Sequence, residues 1–419
     1  MTPPRDRLLA ALDVGSSKVC CLIGRVGNDG LLHLSGMGHR KSNGLKHGAV
    51  ADRDATQRAL SATVDLAERS AGETITDVLV SISAGELYSQ VTEQSVNLRE
   101  APIHRDDVDA VLGAAARARP ADDNVTVHAF PAAYALDGRY QVKAPMGMYG
   151  RHLGVALHTV KAPAGPARNL ETCVRGAHLQ FDRFVAAPYA AGFATLVEEE
   201  RAIGTACVDI GAGTTDISLW AEGAMVHLDV IPMGGDTLTE AIARELVTPL
   251  DHAERLKTLY GAASVALCSD REHVDVVRLG RDDLDGNTER LPRQVLANIL
   301  IPELEALFEQ VRQRLQASGF DGVAGRQVVL TGGTAQLQGI EDMAATILDK
   351  QVRIGQPRRV AGLPSAAQNP AFATAVGVLL HAIEAPDDLP DTAFAQQLTT
   401  RPVGGGGMSA MWRWVKEHF

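Results

Sequence analysis

Two stretches of the chain share one pattern of apolar and polar positions. LLAALDVGSSKVCCLIGRVGNDG, around Asp13, and TACVDIGAGTTDISLWAEGA, around Asp209, each run from an aliphatic segment through an Asp and a turn of glycine and hydroxyl residues into a second aliphatic segment. The pattern predicts a strand, a tight turn and a second strand in each. The two lie about half a chain apart, which predicts two related halves rather than a short-period array. Helical periodicity fills the intervals. DRDATQRALSATVDLAERSAG spaces Leu60, Val64 and Ala67 along one face, GPARNLETCVRGAHLQF is a second helical pattern, and IPELEALFEQVRQRLQASG is a third that stops at Gly319. Strands interleaved with helices in this way predict an α/β fold.

The segment between the halves reads differently. From ISAGELYSQVTEQ to GRHLGVALHTVKAP it has short strands, a helix from about Asp106 to Arg119 and more strands, which predicts a small α+β subdomain. His104-Arg105-Asp106 has the letters of a kinase catalytic loop. The downstream Leu and Asn of that loop are missing and no glycine-rich loop precedes it, so the Asp pair here is read as capping a helix. From residue 385 to 407, APDDLPDTAFAQQLTTRPVGGGG loses apolar periodicity and reads as a disordered linker, roughly 25–30 Å from end to end as a flexible coil. Beyond it, Met408, Met411, Trp412, Val415 and Phe419 gather on one face of a helix, with Lys416 at its flank. That face suits a lipid interface, or docking on the protein's own body; the glycine tether favours lipid.

Composition narrows the classes. A length of 419 residues predicts two to four domains. A formal charge of −11 excludes nucleic acid as the main partner, because phosphate backbones need a concentrated basic surface. Cys20, Cys21, Cys173, Cys207 and Cys268 show no paired spacing, which reads as reduced core thiols in the cytosol rather than a metal site. The apolar run at the N-terminus is interrupted by Asp13 too soon for a signal peptide, and no stretch approaches the roughly 18 apolar residues of a membrane span.

The candidate chemistry sits in the turns. Gly15, Ser16, Ser17 and Lys18 follow Asp13, and Gly211, Gly213, Thr214 and Thr215 follow Asp209. Exposed backbone N–H groups and hydroxyls in such turns can hold phosphate oxygens. An Asp at each strand end suits a hydrated Mg2+, held through water. Gly234-Gly235-Asp236 leads into the helix TLTEAIARELV, and Gly332 and Gly333 form a further strand–turn–helix with Gln336.

This ordered set, with a closing helix from Ala373 to Leu380, resembles the actin/Hsp70/sugar-kinase ATPase superfamily, and within it the bacterial cell-division FtsA family. AALDVGSSKVCCLIG, the Ala187–Arg201 segment, ACVDIGAGTTDI, IPMGGD, ERLKTLYG and VVLTGGTAQLQGI carry the resemblance over nearly the whole chain. It implies an α/β, actin-like two-lobed ATPase fold with an inserted α+β 1C subdomain in place of actin's 1B, and ATP with Mg2+ between the lobes. The implied divisions are 8–83, 163–190 and 371–384 for subdomain 1A and 84–162 for 1C. Residues 191–232 and 326–370 would form 2A, 233–325 would form 2B, 385–407 a linker and 408–419 an amphipathic membrane-targeting helix. Glu254 and Lys257 would stand near ribose and adenine, or else form a solvated helix pair.

The resemblance further implies a polymerising adaptor that anchors the FtsZ ring to the cytoplasmic face of the bacterial inner membrane at the division site, as a peripheral protein. It would bind the FtsZ C-terminal peptide through 2B, later division proteins through 1C, lipid through the C-terminal helix, and itself in protofilaments. Arg293 and Asn298 are candidates for the peptide, or plain solvated residues of a helix. The competing function is an ATP-hydrolysing enzyme of the Hsp70 or sugar-kinase type. Hsp70 proteins commonly carry Glu-Pro before the second phosphate turn, whereas this chain has Ala187-Pro188, so weak or no ATPase activity is expected, with no confident catalytic residue.

Overall fold

In β1 (Leu8–Val14) the apolar side chains point to both faces, and both faces are covered, since Ala11 and Leu12 are wholly buried. A computed structural model describes residues 8–384 apart from 28, 29, 85, 86, 100, 119–122, 280–287, 321, 323–325 and 359. The segments 385–407 and 408–419, with Met408, Met411, Trp412, Val415, Lys416 and Phe419, lie outside the described residues.

The first lobe continues with β2 (Lys18–Val26), β3 (Leu32–Lys41), the short pair β4 (Leu45–Lys46) and β5 (Ala49–Val50), α1 (Arg53–Ala71) and β6 (Asp77–Ile82). Asp52 caps α1 by accepting the Ala55 N–H at 2.9 Å, a contact worth about 1 kcal/mol. The insert follows: β7 (Tyr88–Asn97), α2 (Arg105–Arg117), β8 (Asn124–Leu136), β9 (Arg139–Val142) and β10 (His152–Pro163). Its sheet runs β7-β10-β8-β9, and α2 closes one face by packing Val108, Val111, Leu112 and Ala115 with Leu153, Val155 and Leu157. Asp107 Oδ2 accepts the His104 N–H at 2.9 Å, so the His-Arg-Asp stretch is the start of a helix. The chain returns to the first lobe through α3 (Ala164–Gly176), β11 (Gln180–Ala186) and α4 (Ala187–Thr195).

The second lobe comprises α5 (Glu198–Ile203), β12 (Thr205–Ile210), β13 (Thr215–Ala221), β14 (Ala224–Ile231), α6 (Gly235–Leu246), α7 (Leu250–Tyr260), the hairpin β15 (His273–Val277) and β16 (Thr288–Pro292), α8 (Gln294–Ser318), β17 (Gln327–Thr331), α9 (Ile340–Leu348) and β18 (Gln351–Ile354). After β19 (Val360–Ala361), which pairs with β3, α10 (Ala373–Glu384) ends the described chain. The helix α8 begins about two turns before the pattern that starts at Ile301. It runs through Pro302, a residue that reads as a helix start because it lacks the N–H an interior position donates.

The halves predicted from the repeat are two sheets that share five strands in one order, the first adding β19 at its edge. The first sheet is ordered β11-β6-β1-β2-β3-β19 and the second β18-β17-β12-β13-β14. In each, the hairpin that carries the Asp is antiparallel, and the first strand of that hairpin lies parallel to the next. All residues of α4, APYAAGFAT, are buried, and its alanines and glycine let α10 lie directly against that helix. A Cβ on Gly377 would stand 1.9 Å from the Ala190 carbonyl oxygen, so α10 requires glycine there. Each lobe has its own apolar core, and the two phosphate-type turns face each other between them.

Candidate functional site in the interlobe cleft

Both Asp-Gly turns close in the same way. Gly15 N–H donates to Lys18 O at 2.9 Å, and Gly211 N–H donates to Thr214 O at 2.9 Å. Asp13 and Asp209 are the penultimate residues of β1 and β12, so strand geometry delivers both carboxyls to the space between the turns. Ser81 Oγ–H donates to Asp13 Oδ1 at 2.7 Å and accepts the Val14 N–H at 3.0 Å. Thr374, in the first turn of α10, donates to Asp209 Oδ2 at 2.7 Å. Asp216 lies directly across the second hairpin from Asp209, and its Oδ1 is buried without a hydrogen-bond partner.

Burial pushes the Asp13 carboxyl up, partly offset by Lys18 and Ser81. Burial also raises Asp209 to about 6; Thr374 lowers it and the charge of Asp13 adds to the rise. Asp216 is raised further above the usual carboxylate range, by burial first and then by Asp209. One buried carboxyl, Asp216, with an unsatisfied oxygen, beside the half-buried Asp13 and Asp209, makes a site short of positive charge. No three His, Cys, Asp or Glu side chains converge closely enough to ligate an ion directly among the described residues. The donor set therefore fits a hydrated Mg2+, whose own waters reach the carboxylates.

These groups line a cavity of about 540 Å3 between the lobes. Gly15, Ser16, Ser17, Lys18, Gly211, Gly213, Thr214, Glu254, Lys257, Gly332, Gly333 and Gln336 stand on its wall with Asp13 and Asp209. Thr215, Gly234 and Gly235 stand behind it. Thr215 Oγ1 donates to Met233 O at 2.8 Å, and Gly235 N–H donates to Gly211 O at 2.9 Å, so they brace the second turn. Gly332 has φ +90, and a Cβ there would meet Asp209 Oδ1 at 2.2 Å; only glycine fits.

Of the pair Glu254 and Lys257, the lysine is buried and the Glu254 side chain is half exposed. Lys257 is 8% exposed, and its Nζ donates to Gly235 O at 2.8 Å, Thr239 Oγ1 at 2.8 Å and Glu254 Oε2 at 2.7 Å. Lys18 Nζ donates to Ala371 O and sits 3.6 Å from the centre of the Phe372 ring. Arg293 also belongs to the cleft wall, unlike the exposed Asn298 on α8. Its guanidinium donates to Tyr260 O at 2.8 Å, Glu272 Oε2 at 2.8 Å and Gln338 Oε1 at 2.6 Å, which leaves it turned inward rather than toward a peptide.

Sequence reasoning missed Ser81, Thr374 and Asp216 as site residues. Asp216 was within the quoted repeat, and its period-two relation to the turn was the available signal; Ser81 and Thr374 have no local signal.

The model of the family "Cell division protein FtsA" matches residues 206–377, and that of the "SHS2 domain inserted in FTSA" matches residues 84–161. Cell division protein FtsA of Rhizobium meliloti (strain 1021) is 39% identical, over 99% of this chain and 96% of its own. That of Pseudomonas aeruginosa is 33% identical over 99% and 98%, and that of Escherichia coli (strain K12) 31% over 99% and 98%. Among solved structures, the PilM–PilN type IV pilus biogenesis complex superposes with TM-score 0.63 at 19% identity, covering 90% of this chain and 98% of that one. MreB5 of Spiroplasma citri bound to ADP does so with TM-score 0.52 at 14% identity, covering 90% and 97%.

Proposed function

The chain belongs to the FtsA family of cell division proteins and has an actin-like ATPase fold, and from this we propose that it binds ATP with Mg2+ in the interlobe cleft and acts as a polymerising membrane adaptor. The observation that carries the nucleotide part is the unsatisfied Asp216 Oδ1 beside Asp13 and Asp209, at the meeting point of two glycine turns. Bound Mg2+ would neutralise phosphate charge there. The turns Gly15–Lys18 and Gly211–Thr214 would offer N–H and hydroxyl donors to phosphates, with Gly332, Gly333 and Gln336 completing the wall. Glu254 and Lys257 would border the sugar and base.

Turnover is slow in this reading, because Ala187 presents a methyl group to the cleft where a carboxylate would orient water. The adaptor tethers FtsZ to the cytoplasmic face of the inner membrane, as a peripheral protein of the division site. FtsZ's C-terminal peptide binds within 233–325, and later division proteins bind the insert at 84–162. The helix 408–419 enters the lipid interface; one short helix binds modestly, and self-association into protofilaments multiplies it. Liposome co-sedimentation with ATP, comparing the full chain with one truncated after Gly404, tests the adaptor. Loss of sedimentation with retained nucleotide binding is expected, and unchanged sedimentation overturns the tail's role. Phosphate release of many per second would instead favour an Hsp70-like or sugar-kinase enzyme.

A further inference from the structure

Between β3 and α1 the chain crosses over the phosphate turns. Ser42 N–H donates to Ser17 O at 2.8 Å and Gly48 N–H donates to Ser16 Oγ at 3.1 Å, so the segment rides on the first turn. It also reaches the other lobe at two points. His47 Nδ1 is 3.1 Å from the Gly213 carbonyl oxygen in the second turn. Lys41 Nζ is 2.5 Å from Asp251 Oδ1, in the first turn of α7 and three residues before Glu254. The base of the segment is fixed, because Ala51 and Asp52 donate N–H bonds of 2.8 and 2.9 Å to Gly44 O. His47 has φ +48, a left-handed backbone that non-glycine residues seldom adopt.

We propose that residues 41–48 are a strap that fastens the two lobes across the phosphate end of the cleft and sets the rate at which nucleotide leaves. The proposal rests on the nucleotide reading above. Lobe separation opens the route to the cleft, and it requires both the Lys41–Asp251 pair and the His47–Gly213 contact to break. The side chains of Lys41 and Asp251 are 66% and 86% exposed. An exposed pair shifts an equilibrium by a factor of roughly two to five and is screened by salt. A fastening of that strength holds the cleft closed yet releases it readily.

The test is stopped-flow release of a fluorescent methylanthraniloyl ATP from the full chain. Lys41→Ala and Asp251→Ala should each speed release roughly two- to fivefold. Combined they should do no more than either alone, and the exchange Lys41→Asp with Asp251→Lys should restore the slow rate. Salt should speed release from the natural chain and leave the single variants unmoved. In the opposite direction, Lys41→Cys with Asp251→Cys joined by a short bismaleimide should slow release at least about tenfold; the five native cysteines are buried, so the reagent reads only the added pair. Release rates blind to positions 41 and 251, additive effects, or a cross-linked chain that releases at the natural rate would overturn the strap. A natural chain that takes up no labelled nucleotide defeats the binding reading itself, and is seen before any variant is made.

Discussion

Asp209 contributes to the pH dependence of the cleft together with Asp13 and Asp216, whose carboxyls burial also raises. Its folded-state value of about 6 lies above the ordinary 3.8, so the folded protein holds this proton more tightly than the unfolded chain does. Stability of the ligand-free protein from this group is therefore greatest at low pH. It declines as pH rises from about 4 to about 6, and is flat above. A cation needs the ionised form, which gives the opposite trend for the complex. The thermal stabilisation by ATP with Mg2+ should be full at pH 7.5 and much reduced at pH 5.5, read by differential scanning fluorimetry. Asp216→Asn removes a like charge beside Asp209; it should raise the melting temperature of the free protein while shrinking the shift produced by ATP with Mg2+. Gly332→Ala drives a Cβ into Asp209 Oδ1, and should cost at least about tenfold in nucleotide affinity by equilibrium titration. The legibility of these residues follows their chemistry. Asp13 and Asp209 stand out beside glycine turns, whereas Ser81 and Thr374 meet them only because β6 and α10 are packed alongside.

Individual elements carry their own signatures of strain. The helix α6 ends on Val247 at φ +47, a left-handed backbone with a β-branched side chain that is 53% exposed. Val247→Gly relieves a cost of about 1–2 kcal/mol and adds unfolded-chain entropy, for a net gain of about 0.5–1 kcal/mol by urea unfolding. Gly377→Ala acts oppositely: α10 and α4 must separate, at about 2–3 kcal/mol, and a smaller loss would mean that the helices slide freely. Periodicity exposed α1 and α2 nearly to their ends, because each buries one clear face. The periodic pattern is plain only from Ile301, where Pro302 mimics a first turn, although the stretch with Arg293 and Asn298 already reads as the start of that helix. The hairpin β15–β16 went unread because its apolar signal is short: β15 buries Val274 and Val276 between exposed His273 and Asp275, and β16 adds only Leu291 to the core.

At the level of the whole molecule the repeat was the most legible feature, because two similar sequences fold into two sheets that share five strands in one order. Contacts between distant stretches were not legible: Lys41–Asp251 joins the lobes and Arg293–Gln338 ties two parts of the second lobe, and both meetings depend on the finished fold. For membrane attachment, Trp412 lies on the apolar stripe of the tail pattern and Trp414 off it. Trp412→Glu should abolish liposome co-sedimentation and Trp414→Glu only weaken it, and equal effects would refute the helical register. The last described helix gives the tail a mechanical meaning. Residue 385 continues directly from α10, whose residues Ala373–His381 are buried against α4, β1, β6 and β2. Tension on the tail therefore has to enter the body through this helix, which is held by contacts with these four elements rather than at one edge. The far end of the loaded rod is Thr374, bonded to Asp209. A protein hauled from its C-terminus would feel the load at the floor of its own cleft.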